Sequence, residues 1–310
     1  MRVVYLGTPE FAVPPLEALA AAPDIELLGV ICQPDRQAGR GLERREPAVK
    51  TAAARLGLPL LQPERIKADE AQAWLEQRRP EALAVVAYGQ ILPRRVFELP
   101  RWGAINAHAS LLPRYRGAAP IQWALVRGET VTGVTTMRIE AGLDSGPILM
   151  QRELAVAPDE TAPELSRRLA PLAAELLLET LRALAREAVV PRPQDAAQAT
   201  LAPLLTKDDG LADWSQPARE LYNRWRGFQP WPGLHTSFRG QPLQLIRVRP
   251  AASDAAAAPG TLALDGAQLA AACGSGALVL DEVRLAGRAA VAGAAFARGA
   301  RLRPGERLGG

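Results

Sequence analysis

Apolar runs in the first half of the chain recur at the spacing of strands that alternate with helices. Residues 2–7, 25–32 and 82–87 are near-continuous apolar stretches rich in Val, Leu and Ile, as expected of strands buried on both faces. Between them the period changes. Residues 47–56 and 69–79 mix apolar and charged positions at helical spacing, with Gly57 stopping the first helix, and residues 58–61 form a short strand. Residues 102–108, 133–139 and 148–156 supply further strands. Residues 161–187 place Leu165, Leu169, Leu172, Leu176 and Leu184 along one face of a long helix. Strands that alternate with helices build a parallel sheet, so the expected fold is α/β, with an open, Rossmann-like, parallel-rich sheet over residues 1–189.

The pattern then breaks. Residues 190–206 are rich in Pro, Gln and Ala and read as a linker. Beyond them, a helix through Arg219, Tyr222, Arg224 and Arg226 precedes short strands at 236–239, 243–249, 261–264 and 278–284, separated by Gly and Pro. Short strands between turns predict a small, OB-like β-barrel over residues 207–310. Trp214, Trp225 and Trp231 fit either its core or a surface that stacks bases. Residues 251–259 read as a loop, and His235 as a structural side chain.

Charge adds one distinction. Residues 1–206 carry 24 basic and 24 acidic side chains, whereas residues 207–310 carry 13 and 9, so the whole net charge of +4 lies in the second part. A basic tail suits a polyanionic partner. Cys32 and Cys273 sit in apolar segments without metal-ligand spacing, so neither a disulfide nor a metal is expected. No stretch is long and apolar enough for a membrane span, and the turn after residue 7 lacks the G-x-G-x-x-G of dinucleotide sites. A cytoplasmic, membrane-free monomer is the expectation.

Candidate chemistry gathers between residues 102 and 150. The apolar strand there delivers Asn106 and His108 toward its carboxyl end, where open α/β sheets keep their sites. A second turn, Gly142-Leu143-Asp144-Ser145-Gly146, presents one carboxylate. An Asn amide can donate to a developing oxyanion, a His can move a proton near neutral pH, and an Asp can orient that His. Spacing alone leaves a second reading open, with His108 a structural hydrogen-bonding residue and Asp144 a turn former.

The string Asn106-x-His108-x-Ser110-Leu111-Leu112-Pro113-x-x-x-Gly117, followed by Gly142-Leu143-Asp144-x-Gly146, resembles the signature of the folate-dependent formyltransferases. The resemblance implies that Asn106, His108 and Asp144 are catalytic. It also implies that Ser110, Leu111, Leu112 and Pro113, with Gly89, Gln90 and Leu92 at the end of strand 82–87, hold 10-formyltetrahydrofolate. It extends over nearly the whole chain, through Gly7-Thr8-Pro9-Glu10-Phe11, Arg116-Gly117-Ala118-Ala119-Pro120, Lys207-x-Asp209-Gly210, Trp231-Pro232-Gly233 and Pro304-Gly305. That breadth points to the branch acting on methionyl initiator tRNA. Residues 33–46, polar and charged with two glycines, read as a loop that is mobile until bound. In that branch a matching insertion reaches the tRNA acceptor end, which would make Arg40 and Arg36 RNA contacts.

Overall fold

The computed structural model describes residues 1–38, 43–252 and 257–309. Its contacts divide the chain into two units, the first comprising residues 1–120, 131–156 and 165–203, the second residues 121–130, 157–164 and 204–310. The division is therefore not a single cut in the chain. The stretch read as a linker falls almost wholly to the first unit.

In chain order the first unit begins with β1 (Arg2–Gly7), α1 (Val13–Ala21), β2 (Glu26–Ile31), β3 (Arg36–Ala38) and β4 (Glu43–Arg45). It continues with α2 (Ala48–Arg55), β5 (Leu60–Leu61), α3 (Asp69–Arg78), β6 (Ala82–Val86), α4 (Arg94–Phe97) and β7 (Ala104–His108). After α5 (Pro120–Val126), which belongs almost entirely to the second unit, come β8 (Val131–Arg138), β9 (Ile148–Ala155) and α6 (Ala162–Ala185).

Seven strands form one sheet in the order β5-β2-β1-β6-β7-β8-β9. The five from β5 to β7 are parallel, and β8 then runs antiparallel to both β7 and β9. Val3, Val4, Tyr5 and Leu6 of β1 and all of β6 are buried, which is why these strands read as unbroken apolar runs. The strand order reverses beside β1, and the carboxyl ends of the strands at such a reversal are where open α/β sheets bind their ligands. There Thr8, just after β1, donates its hydroxyl to the Tyr88 carbonyl, just after β6, at 2.8 Å.

Residues 33–46 depart from the loop that was expected. Their described part pairs as an antiparallel ribbon, with Arg36 opposite Arg45 and Ala38 opposite Glu43. Its root is anchored in an ion pair. Asp35, 5% exposed, accepts from Lys50 at 2.7 Å and from Gln62 at 2.9 Å. The Asp35 carboxylate, with Glu46 beside it, raises the pKa of Lys50 above the ordinary lysine value. Arg40 lies outside the described residues, as do residues 253–256 of the second expected loop.

The second unit contains α5, α7 (Ala218–Gly227), β10 (Leu234–Phe238), β11 (Gln241–Ala251), β12 (Leu262–Asp265), β13 (Gln268–Ala272), β14 (Ala277–Leu285), β15 (Val291–Ala292) and α8 (Gly293–Gly299). Its sheet is antiparallel throughout, in the order β10-β11-β14-β13-β12 with β15 on β14. Trp214 is core and donates to Thr236 at 3.1 Å, and Trp225 stacks on Tyr222 at 5.5 Å. Trp231 is 53% exposed. Among the described residues no helix is long and apolar enough to cross a membrane.

Candidate active site

Asn106 and His108 lie two positions apart on β7, so strand alternation turns both side chains to the same face of the sheet. Asn106 pairs with Val85 on one side and Met137 on the other, in the middle of the sheet. Its amide is half-buried and has no hydrogen-bond partner among the described residues, which leaves both N–H groups available. His108 ends the strand.

The buried imidazole of His108 is held from two sides. Nε2 lies 2.8 Å from the Tyr115 carbonyl oxygen, and Nδ1 lies 3.6 Å from Oδ2 of Asp144. A carbonyl can only accept, so Nε2 carries a proton, and Nδ1 is the ring nitrogen turned toward Asp144. Asp144 faces that nitrogen with a negative charge. The same Oδ2 accepts the Gly117 amide at 2.9 Å, which fixes the carboxylate against the following loop. Asp144 itself is 17% exposed and takes a left-handed backbone, φ 46°, uncommon for a residue other than glycine though less so for Asp. The three residues expected to be catalytic therefore meet at one place, two on β7 and one on the turn before β9.

The segments expected to hold folate flank this place, but several of their side chains are committed to the fold. Ser110 donates to the Arg114 carbonyl at 2.7 Å, and Leu112 packs with Met137 and Ile148. Leu111 lies over Gly133, where a side chain would collide with it. After β6, Ala87 and Gly89 both have positive φ, turning the chain sharply. Gln90 accepts the Ile66 amide at 2.7 Å and donates to the Glu64 carbonyl at 3.2 Å, and Leu92 is buried. What these loops offer a ligand is backbone N–H and C=O groups, together with Ile91, which is 92% exposed. Arg36 is exposed and donates to Gln33 at 3.2 Å, on the ribbon and away from the Asn106, His108 and Asp144 cluster in sequence.

A family model described as formyl transferase matches residues 1–181, and one described as formyl transferase, C-terminal domain, matches residues 204–301. A methionyl-tRNA formyltransferase of Solibacter usitatus is 52% identical over 309 residues, covering 100% of this chain and 99% of its own. The chain belongs to the methionyl-tRNA formyltransferase family. Another formyltransferase of that name, from Acidobacterium capsulatum, is 50% identical over the full length of both chains. The fold of this family member also matches that of WlaRD, a sugar 3N-formyl transferase solved with dTDP and 5-N-formyl-THF, at a TM-score of 0.66 and 14% identity, over 93% of this chain and 99% of that one. It matches HypX from Aquifex aeolicus in complex with tetrahydrofolic acid at a TM-score of 0.62 and 17% identity, over 96% of this chain but only 47% of the HypX chain, so it spans about half of that protein.

Four residues that shape the site of this formyltransferase gave no signal in the sequence. Thr135, fully buried on β8, donates to the Ser110 carbonyl at 2.7 Å and accepts from the Leu112 amide and the Gln151 side chain, each at 3.0 Å. Gln151 donates also to the Leu112 carbonyl at 2.8 Å. Thr200 accepts the Tyr115 amide at 2.9 Å, and Gln194 donates to the carbonyls of Asp144 and Gly146 at 2.8 and 2.7 Å. Each bonds a distant backbone group rather than a neighbour, so no local pattern betrays it. A Thr on an alternating strand and a Gln among prolines look like surface residues.

Proposed function

We propose that this enzyme transfers the formyl group of 10-formyltetrahydrofolate to the α-amino group of methionyl initiator tRNA, using Asn106, His108 and Asp144. The observation that carries the reading is the His108 imidazole held between the Tyr115 carbonyl and the Asp144 carboxylate, beside the unpartnered Asn106 amide. An α-amino group has a pKa near 8, so a useful fraction is neutral at pH 7 and attack needs no strong base.

As the amine nitrogen bonds to the formyl carbon, the formyl oxygen gains negative charge. Asn106 donates to it, a contribution of roughly 3–4 kcal/mol where such a donor is well placed. The proton shed by the amine passes to Nδ1 of His108, and Asp144 balances the imidazolium charge. When the bond to N10 breaks, the same proton leaves His108 for N10. Formylmethionyl-tRNA and tetrahydrofolate result, with no net change in the protein.

The loops at Gly89, Gln90 and Leu92 and at Ser110, Leu111, Leu112 and Pro113 would hold the folate through backbone groups. Arg36 and Arg40 would meet the phosphates of the tRNA acceptor end, helped by the basic residues beyond 206. Phosphate contacts of this kind make binding fall steeply with salt. The reading carries with it a cytoplasmic monomer that works beside translation.

Incubation with charged initiator tRNA and formyl donor, followed by release of the amino acid, tests the activity directly. N-formylmethionine is the expected product, and Asn106→Ala should lower turnover roughly 10²- to 10³-fold with little change in either Michaelis constant. A variant that turns over within threefold of the parent removes Asn106 from the chemistry. Absence of product with the parent protein removes the activity.

A further inference from the structure

The segment between α6 and the second unit's first helical turn is where a linker was expected, yet it is tied to the site at several points. Arg192 exchanges two backbone hydrogen bonds with Ile148, each 2.8 Å. Further on, Thr200 donates its amide to the Pro113 carbonyl at 3.3 Å, accepts the Arg116 amide at 2.8 Å, and takes the Tyr115 amide on its hydroxyl. Ala202 closes the run by donating to the Arg116 carbonyl at 2.8 Å. The segment thus lies as a strap along residues 113–119.

Gln194 is the one side chain in the strap that reaches the Asp144 turn. Its two N–H groups donate to the carbonyls of Asp144 and Gly146, and its Oε1 accepts from Nε and Nη2 of Arg116 at 3.0 and 2.7 Å. That exhausts the amide's two donors and its acceptor oxygen. It also sets the amide orientation, because the flipped form would aim N–H groups at a guanidinium and oxygen at two carbonyls. Asp144 has a left-handed backbone, which an Asp adopts more readily than most residues but still at a cost that bonds from its surroundings offset. Gln194 holds it there by its carbonyl oxygen.

Both partners of the His108 imidazole are consequently fixed by one strap, Tyr115 through Thr200 and Asp144 through Gln194. We propose that Gln194 is a positioning residue for formyl transfer, acting on the chemistry only through Asp144 and, through it, on His108. It touches neither substrate. Its removal should slow the chemical step and leave substrate affinity nearly alone, whereas a merely structural glutamine would change stability without splitting the two kinetic constants.

This inference rests on the proposed activity for its kinetic arm and is independent of it in its spectroscopic arm. The chain has only two histidines, so ring nitrogen signals of 15N-histidine-labelled protein report His108 against His235 as an internal control. Gln194→Ala should shift the His108 ring signals and leave those of His235 in place. It should lower kcat about 10- to 30-fold with both Michaelis constants within about twofold. Combined with Asp144→Ala it should lower kcat no further than Asp144→Ala alone, as expected of residues that act in series. Gln194→Glu keeps an acceptor for Arg116 but loses both donors. It should behave as the alanine variant does, and it replaces that variant if the alanine form does not fold. Unmoved His108 signals, a kcat within twofold of the parent, or additive losses in the double variant would each overturn the proposal. Unmoved signals in a protein that makes no formylmethionine would count against both readings, whereas shifted signals in such a protein would leave the positioning role intact.

Discussion

Replacing Thr135 by Val isolates what one buried hydroxyl does for the site. Valine keeps the shape of threonine, so the change deletes hydrogen bonds without opening a cavity. Three bonds go: donation to the Ser110 carbonyl, and acceptance from the Leu112 amide and the Gln151 side chain. Gln151 keeps a partner in the Leu112 carbonyl. The Leu112 N–H does not, and an unsatisfied buried donor costs about 1–3 kcal/mol. Loss of the bond to Ser110 adds about 1 kcal/mol, and the new methyl group returns about 0.8 kcal/mol on burial. The expected local destabilisation is about 2 kcal/mol, which corresponds to ~30-fold faster amide exchange if opening is local. Hydrogen exchange read by mass spectrometry on peptides spanning 104–112 and 131–138 measures it, with peptides spanning 268–285 as the control. Exchange that accelerates less than about threefold in the first two peptides would refute the idea that this hydroxyl holds the 110–113 loop.

Other expectations are simpler to check. A Cβ at Gly117, where φ is 124°, would stand 2.6 Å from the Ala202 carbonyl oxygen, so Gly117→Ala should displace the strap and lower turnover at least about tenfold in a steady-state assay. Burial pushes the Cys32 thiol up to about 12 and the Cys273 thiol up to about 11, so neither should react with a thiol reagent at pH 8 until denaturant is added, when both should. A native protein that is modified rapidly would contradict their burial. A hydrogen bond from Arg182 lowers the Asp24 carboxyl to about 2, so its contribution to stability is complete above about pH 4 and disappears as pH falls through about 2. Asp24→Asn and the parent should accordingly differ slightly in urea midpoint at pH 5 and converge near pH 2. A difference that grows on acidification would show the sign to be wrong.

Much of the first unit was legible because its strands are buried on both faces, and Val3 to Leu6 or Ala82 to Val86 have no polar residue to disguise the period. Asn106, His108 and Asp144 stood out through the family signature they share, since spacing alone also fits a structural His and a turn-forming Asp. Other features left no such trace. The pairing of Arg36 with Arg45 sits beside the contacts of Asp35 with Lys50 and Gln62, between residues 15 and 27 positions apart, which hydropathy does not see. β13 and α8 were missed because Gln268–Ala272 and Gly293–Gly299 are rich in alanine, which favours no strand and marks no amphipathic face. The strap was taken for a linker because proline and glutamine are as common in free tethers as in an extended segment whose bonds go to other loops.

That strap changes where the N-terminal unit ends for anyone who wishes to handle it alone. A fragment stopped at residue 181, where the match to the first family model ceases, or at 189, a few residues past the end of α6, would retain Asn106, His108 and Asp144. It would nevertheless leave Asp144 without Gln194 and Tyr115 without Thr200. Carrying the fragment through Pro203 brings both along. In hybrids that join the sheet of one relative to the tail of another, the fourteen residues from 190 to 203 belong with the donor of the sheet.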